Sequence, residues 1–100
     1  MKNDINLPVS KKLVWPILRI FKDSSPLSKS ELDIALAKLL GLSQEQLEIR
    51  HDRSRSEQQY RSAWALSYGK KAGYFVNPTR NQWGITDSGR SVQLESEVKV

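Results

Sequence analysis

Gln59, Ser62, Ala63 and Lys70 are spaced so that, at about 100° per residue, they fall on one face of a helix. A glutamine amide can pair with adenine through N6 and N7, and a lysine can reach guanine acceptors. That is the chemistry of reading base edges in a duplex. The stretch that carries these residues, Arg53 to Gly73, reads as one helix of about five turns, entered through a basic segment and ended by a glycine. With Trp64 as the reference direction, Glu57, Arg61, Trp64, Ala65, Tyr68 and Ala72 share a face suited to packing. Arg55, Gln59, Ser62, Ala63, Leu66 and Lys70 share a face suited to a polyanion. Leu66 is open to three readings there: contact with a thymine methyl, packing on a neighbouring hairpin, or a homodimer contact. Arg53, Arg55, Lys71, Arg80 and Arg90 suit phosphates, Arg80 most clearly, with Asn81 beside it.

The charge distribution supports a polyanionic partner. The 100-residue chain has a net charge of +5. Residues 1–49 hold seven basic and six acidic groups, residues 50–90 hold eight and three, and the last ten residues are net −1. The excess therefore lies in the half that contains the long helix, as a phosphate backbone would require. A merely basic, soluble surface is the plain alternative.

Several classes are excluded. No apolar run approaches the ~20 residues of a membrane-spanning helix, and the polar start lacks the apolar segment of a secretion signal. There is no cysteine and His51 is the only histidine, so disulfides and Cys/His metal sites are out. These features predict a cytoplasmic protein with no membrane partner, no metal and no cofactor. Glu97-Val98-Lys99 has the local spacing of a nuclease Glu-x-Lys, but no acidic strand precedes it, so no catalytic site is expected. His51, Asp52 and Ser54 are near neighbours in a polar loop, where contiguous residues do not converge as a triad.

The elements that must position the long helix follow in order. Residues 1–10 read as a loose lead-in. Leu13, Val14, Ile17, Leu18 and Phe21 mark an amphipathic helix, with Ser10 as its N-cap. Pro16 predicts that it starts near Trp15, after an irregular turn at residues 11–14. Ser28 and Glu31 form a capping box for a second helix that Gly41 ends, and Ser43 to Gln46 repeats the box on a short third helix. Arg50 to Arg55 is too polar for core and reads as a loop. Tyr74–Val76 and Gln82–Ile85 are strand-like around Asn77-Pro78-Thr79-Arg80-Asn81, a basic hairpin tip. Thr86 caps a short final helix, and residues 92–100 form a tail. The domain therefore spans residues 11–91. It is a mainly α fold with a small β-hairpin, in the order of a winged helix-turn-helix, whose third main helix enters the major groove.

In Trp15-Pro16-Ile17-Leu18-Arg19, Leu40-Gly41-Leu42-Ser43, Arg61-Ser-Ala-Trp64-Ala65, Lys71-Ala72-Gly73 and Trp83-Gly84-Ile85-Thr86-Asp87-Ser88-Gly89, the chain resembles the N-terminal winged-helix domain of Mrr-type restriction endonucleases. The likeness runs from about Leu13 to Ser91 and rests on the order and spacing of these pieces. Two positions depart from the pattern. Tyr60 stands where an asparagine often precedes the arginine. Gly69 stands where a large apolar residue usually packs into the core, leaving a space for Tyr68 or Phe75. The resemblance implies a double-stranded-DNA recognition module without chemistry of its own. In full-length relatives it is joined to a C-terminal nuclease domain of the PD-(D/E)xK type. A stand-alone transcription regulator and a protein-interaction module are the alternatives on the same fold. Arg61, on the packing face, is expected to pair with Asp33, Glu48 or Glu57 in a structural role.

Overall fold

A computed structural model describes residues 6–100; the first half of the lead-in, residues 1–5, lies outside the described part. Helix α1 spans Ser10–Asp23 without interruption. Ser10 is its first residue rather than its cap, which is Val9, and Pro16 lies inside it. Proline withholds one amide from the carbonyl four residues back, that of exposed Lys12, where water can substitute. Burial of Leu13, Val14, Ile17, Leu18 and Phe21 outweighs that single lost bond.

Strand β1, Leu27–Ser28, leads directly into α2, Lys29–Leu40. The expected capping box is present: Ser28 Oγ accepts from the Glu31 amide at 3.1 Å and Glu31 Oε1 from the Ser28 amide at 2.9 Å. Gly41 ends the helix at φ +65°, a conformation open to glycine at little cost. Helix α3, Gln44–Glu48, carries the second box on Ser43 and Gln46. Helix α4 spans Glu57–Lys71, shorter than the expected Arg53–Gly73, because Ser56 caps it and residues 50–55 form a turn outside it. Strands β2, Phe75–Val76, and β3, Gln82–Ile85, make the hairpin, and Thr86 caps α5, Asp87–Arg90.

The sheet holds one strand beyond the hairpin. β1 pairs antiparallel with β3, Leu27 opposite Trp83 and Ser28 opposite Gln82, giving the order β1-β3-β2. The result is a mainly helical fold with a small three-stranded antiparallel sheet, the winged-helix arrangement. The core lies where α1 packs across α4 and α2, with Phe21 edge-on to Phe75 at 5.4 Å between ring centres. Leu7 and Val92, flanking residues 11–91, are buried, and the Lys99 amide donates to the Tyr74 hydroxyl at 2.9 Å.

Candidate nucleic-acid interface

The face that α4 turns inward is set by Gln58, Ser62, Ala65, Leu66 and Gly69. At about 100° per residue, that face is rotated by about 90° from the one inferred with Trp64 as reference. Two expectations are corrected. Leu66 does not face outward; it is 1% exposed in the core. Trp64 is not core; it is 46% exposed, with its ring 5.9 Å from that of Tyr68.

The rotation decides where each expected contact residue lies. Ser62 is fully buried and cannot reach a duplex. Its hydroxyl donates to Asp33 Oδ1 at 2.6 Å, and Lys29 Nζ donates to Asp33 Oδ2 at 2.6 Å, so the serine ties α4 to α2. Gln59 is exposed, but its Oε1 accepts from the Ser56 amide at 2.9 Å in a capping box. It therefore presents the Nε2 donor rather than a free bidentate amide. Ala63 is half-buried along the outer side of the helix, and Lys71 is exposed. Lys70 is exposed, yet its Nζ donates to Asn77 Oδ1 at 2.7 Å and lies 5.7 Å from the Trp83 ring centre. It joins helix to hairpin. Ser67, which was not anticipated, is exposed on the same arc as Gln59, Ala63 and Lys70. The Ser-x-x-Gln spacing at 56–59 was the signal that could have placed the cap and the start of the helix.

Arg53 and Arg55 sit in the turn before the helix, both exposed. Arg55 is not on the helical face assigned to it; it lies over the Tyr60 ring at 5.2 Å and 3.5 Å from Asp52 Oδ2. Asp52 holds this turn. Its Oδ1 accepts from the Ser54 and Arg55 amides, both at 2.9 Å, and from the Ser54 hydroxyl at 3.0 Å. Those backbone donors lower its pKa to about 2. A carboxylate depressed below the ordinary 3.8 supports the turn above that value and loses it as pH falls through about 2. An NMR titration of the Asp52 carboxyl should accordingly centre well below the ordinary 3.8; an ordinary midpoint would mean that the Ser54 and Arg55 donors do not hold the carboxylate in solution. Ser54 bonds Asp52 rather than His51, whose ring stacks on Tyr60 at 3.5 Å, so no nucleophile and base converge here.

At the hairpin tip Arg80 and Asn81 are exposed, Asn81 at φ +67°. Asn77 Nδ2 donates to the Gln82 carbonyl at 2.8 Å and closes the loop behind them. Arg61 has the structural role expected of it. Its Nε donates to Glu57 Oε2 at 2.7 Å, which lowers the Glu57 pKa, and its Nη1 donates to the Leu7 carbonyl at 2.7 Å. Of the expected residues, Arg55, Gln59 and Asn81 line one groove between α2, α4 and the wing, and Lys70 is tied to the wing through Asn77; Arg53, Lys71, Arg80 and Arg90 are exposed, and Ser62 is buried. Among the described residues there is no group of His, Asp and Glu fit to hold a metal, and no helix is long and apolar enough to cross a membrane.

The model of the Mrr N-terminal domain family matches residues 11–95 of the chain. The chain belongs to that family. The match spans both the helical core and the hairpin, and it extends past Ser91 into the tail. The Mrr N-terminal domain is associated with Mrr-like restriction systems. No curated protein and no solved structure matches the chain.

Proposed function

We propose that this Mrr N-terminal domain binds double-stranded DNA as the target-recognition module of a restriction system, with the chemistry carried by a nuclease domain in the same protein or beside it. The observation that supports this most is that Arg55 of the turn, Gln59 of α4 and Asn81 of the wing tip line one groove, with Arg53 and Arg80 exposed beside Arg55 and Asn81 in the chain. Arg53, Lys71 and Arg80 make no ion pair among the described residues, so their charge is available to phosphates. Gln59, Ala63 and Ser67, on the outer arc of α4, supply the contacts to base edges in this reading. Lys70 sets the wing against the helix and so fixes the distance between the two points of attachment.

The test is duplex affinity as a function of salt. With several phosphate contacts, affinity should fall by on the order of a hundredfold or more between about 50 and 200 mM salt. Arg80→Ala should weaken binding to all sequences alike and reduce the salt slope by about one contact, whereas Gln59→Ala should change the preference between sequences. Affinity that is absent, or flat with salt, would remove the phosphate-anchoring reading. Equal behaviour of the two variants would remove the division of roles.

A further inference from the structure

Between the first turns of α2, the first turn of α4 and the wing lies an open groove of about 890 Å³. Gln58 lines it, 2% exposed, and neither its Oε1 nor its Nε2 has a hydrogen-bond partner among the described residues. The other buried polar residues differ. Ser62 is bonded to Asp33, and Ser56 is bonded to Gln59 in the capping box. A buried amide with both functions idle is a donor and an acceptor held side by side for something that enters the groove. The surroundings say what kind of group. Ile34 and Leu47 give apolar wall, and Trp83 of β3 gives an aromatic one. Ile34 is 71% exposed on α2, an apolar side chain with no packing reason to be there. Arg55 and Asn81 stand at the rim. Asp33, also in the groove, is occupied by Lys29 and Ser62, so the site does not suit a cation.

A flat apolar ring with adjacent donor and acceptor atoms on its edge, carrying an anion, fits this set. That is a nucleotide outside the base stack. We propose that the groove takes one unpaired nucleotide of the bound DNA, with its base against Trp83 and Ile34, its edge on the Gln58 amide and its phosphate at Arg55. The proposal rests on the duplex-binding reading and adds to it a groove that adjoins the same surface and shares Arg55 with it.

The test compares two duplexes of the same length at the same salt. One is fully paired, and the other carries a single extra unpaired 2-aminopurine nucleotide, which is fluorescent when unstacked. The wild-type protein should bind the second about tenfold more tightly, with a change in emission. Gln58→Leu removes the idle amide and keeps the volume; it should bind the paired duplex as the wild type does and lose most of the tenfold preference. Equal affinity of the wild type for both duplexes would overturn the proposal and leave duplex binding standing. So would a leucine variant that keeps the preference. Failure to bind either duplex would instead overturn the duplex-binding reading, and the groove proposal with it. Should the leucine variant not fold, the side-chain amide resonances of Gln58 in the wild-type protein decide. A shift with the unpaired nucleotide and none with the paired duplex supports the site, and no shift with either overturns it.

Discussion

Gly69→Ala is expected to destabilise the domain by about 1–3 kcal/mol, although alanine is the better helix former by about 1 kcal/mol. A Cβ at position 69 would lie 2.1 Å from Phe75 Cε2 and 2.2 Å from Cδ2. The ring has nowhere to withdraw. Phe75 is 2% exposed and stands edge-on to Phe21 with 89° between the ring planes, in the centre of the core. Close-packed interiors take up an added methyl only by moving neighbours off their preferred rotamers. In a domain of this size the loss should appear as a fall in Tm of about 4–8 °C per kcal/mol. The resemblance noted a large apolar residue where this chain has Gly69, and the structure shows what replaces it: the Phe75 ring comes in from β2. Position 69 and position 75 therefore fill one space from opposite sides. Gly69→Leu and Phe75→Ala should each be strongly destabilising alone, and the double variant should be less harmful than their sum. A Gly69→Ala protein that melts at or above the wild-type temperature, or a strictly additive cycle, would sink this account.

What was legible in the sequence was local. The boxes at Ser28–Glu31 and Ser43–Gln46, the left-handed Gly41 and the Thr86 cap all join groups within a few residues of each other. Spacing alone therefore identifies them. The hairpin was legible for the same reason, through the turn residues between two strand-like runs. The third strand was not. Leu27 and Ser28 are two residues with no periodicity, and their partners Trp83 and Gln82 lie more than fifty positions away. The inner face of α4 was misplaced because Trp64 and Tyr68, two large aromatic side chains four residues apart, drew the packing face toward themselves and away from Leu66. What fixes the rotation is tertiary contact between elements: Asp33 of α2 takes the Ser62 hydroxyl, and Phe75 of β2 needs the bare backbone at Gly69. A serine and a glycine give a weak apolar signal while marking the closest approach. Pro16 misled in the opposite direction. The rule that proline opens helices is a preference of roughly 3 kcal/mol or more, which five fully buried side chains on α1 can exceed.

Leu66→Ala and Trp64→Ala decide the rotation, and with it the candidate interface. Leu66 is 1% exposed, so its truncation removes buried methyl groups and leaves a cavity; about 2–5 kcal/mol is expected. Trp64 is larger, but it already has 46% of its surface in water. Its truncation should cost well below the ~3–5 kcal/mol of a buried tryptophan. Denaturant unfolding of the two variants, read at equal m-value, gives the order directly. A leucine loss that exceeds the tryptophan loss places Ser62 and Leu66 inward and leaves Gln59, Ala63, Ser67 and Lys70 as the outer arc. The reverse order would turn the helix back by about 90°, return Ser62 to the surface and put Trp64 in the core. The contact surface assigned to α4 would then be wrong, and the Gln58 amide would no longer lie in the groove beside the wing. Both binding proposals therefore depend on this difference in folding stability, which is measurable without any DNA.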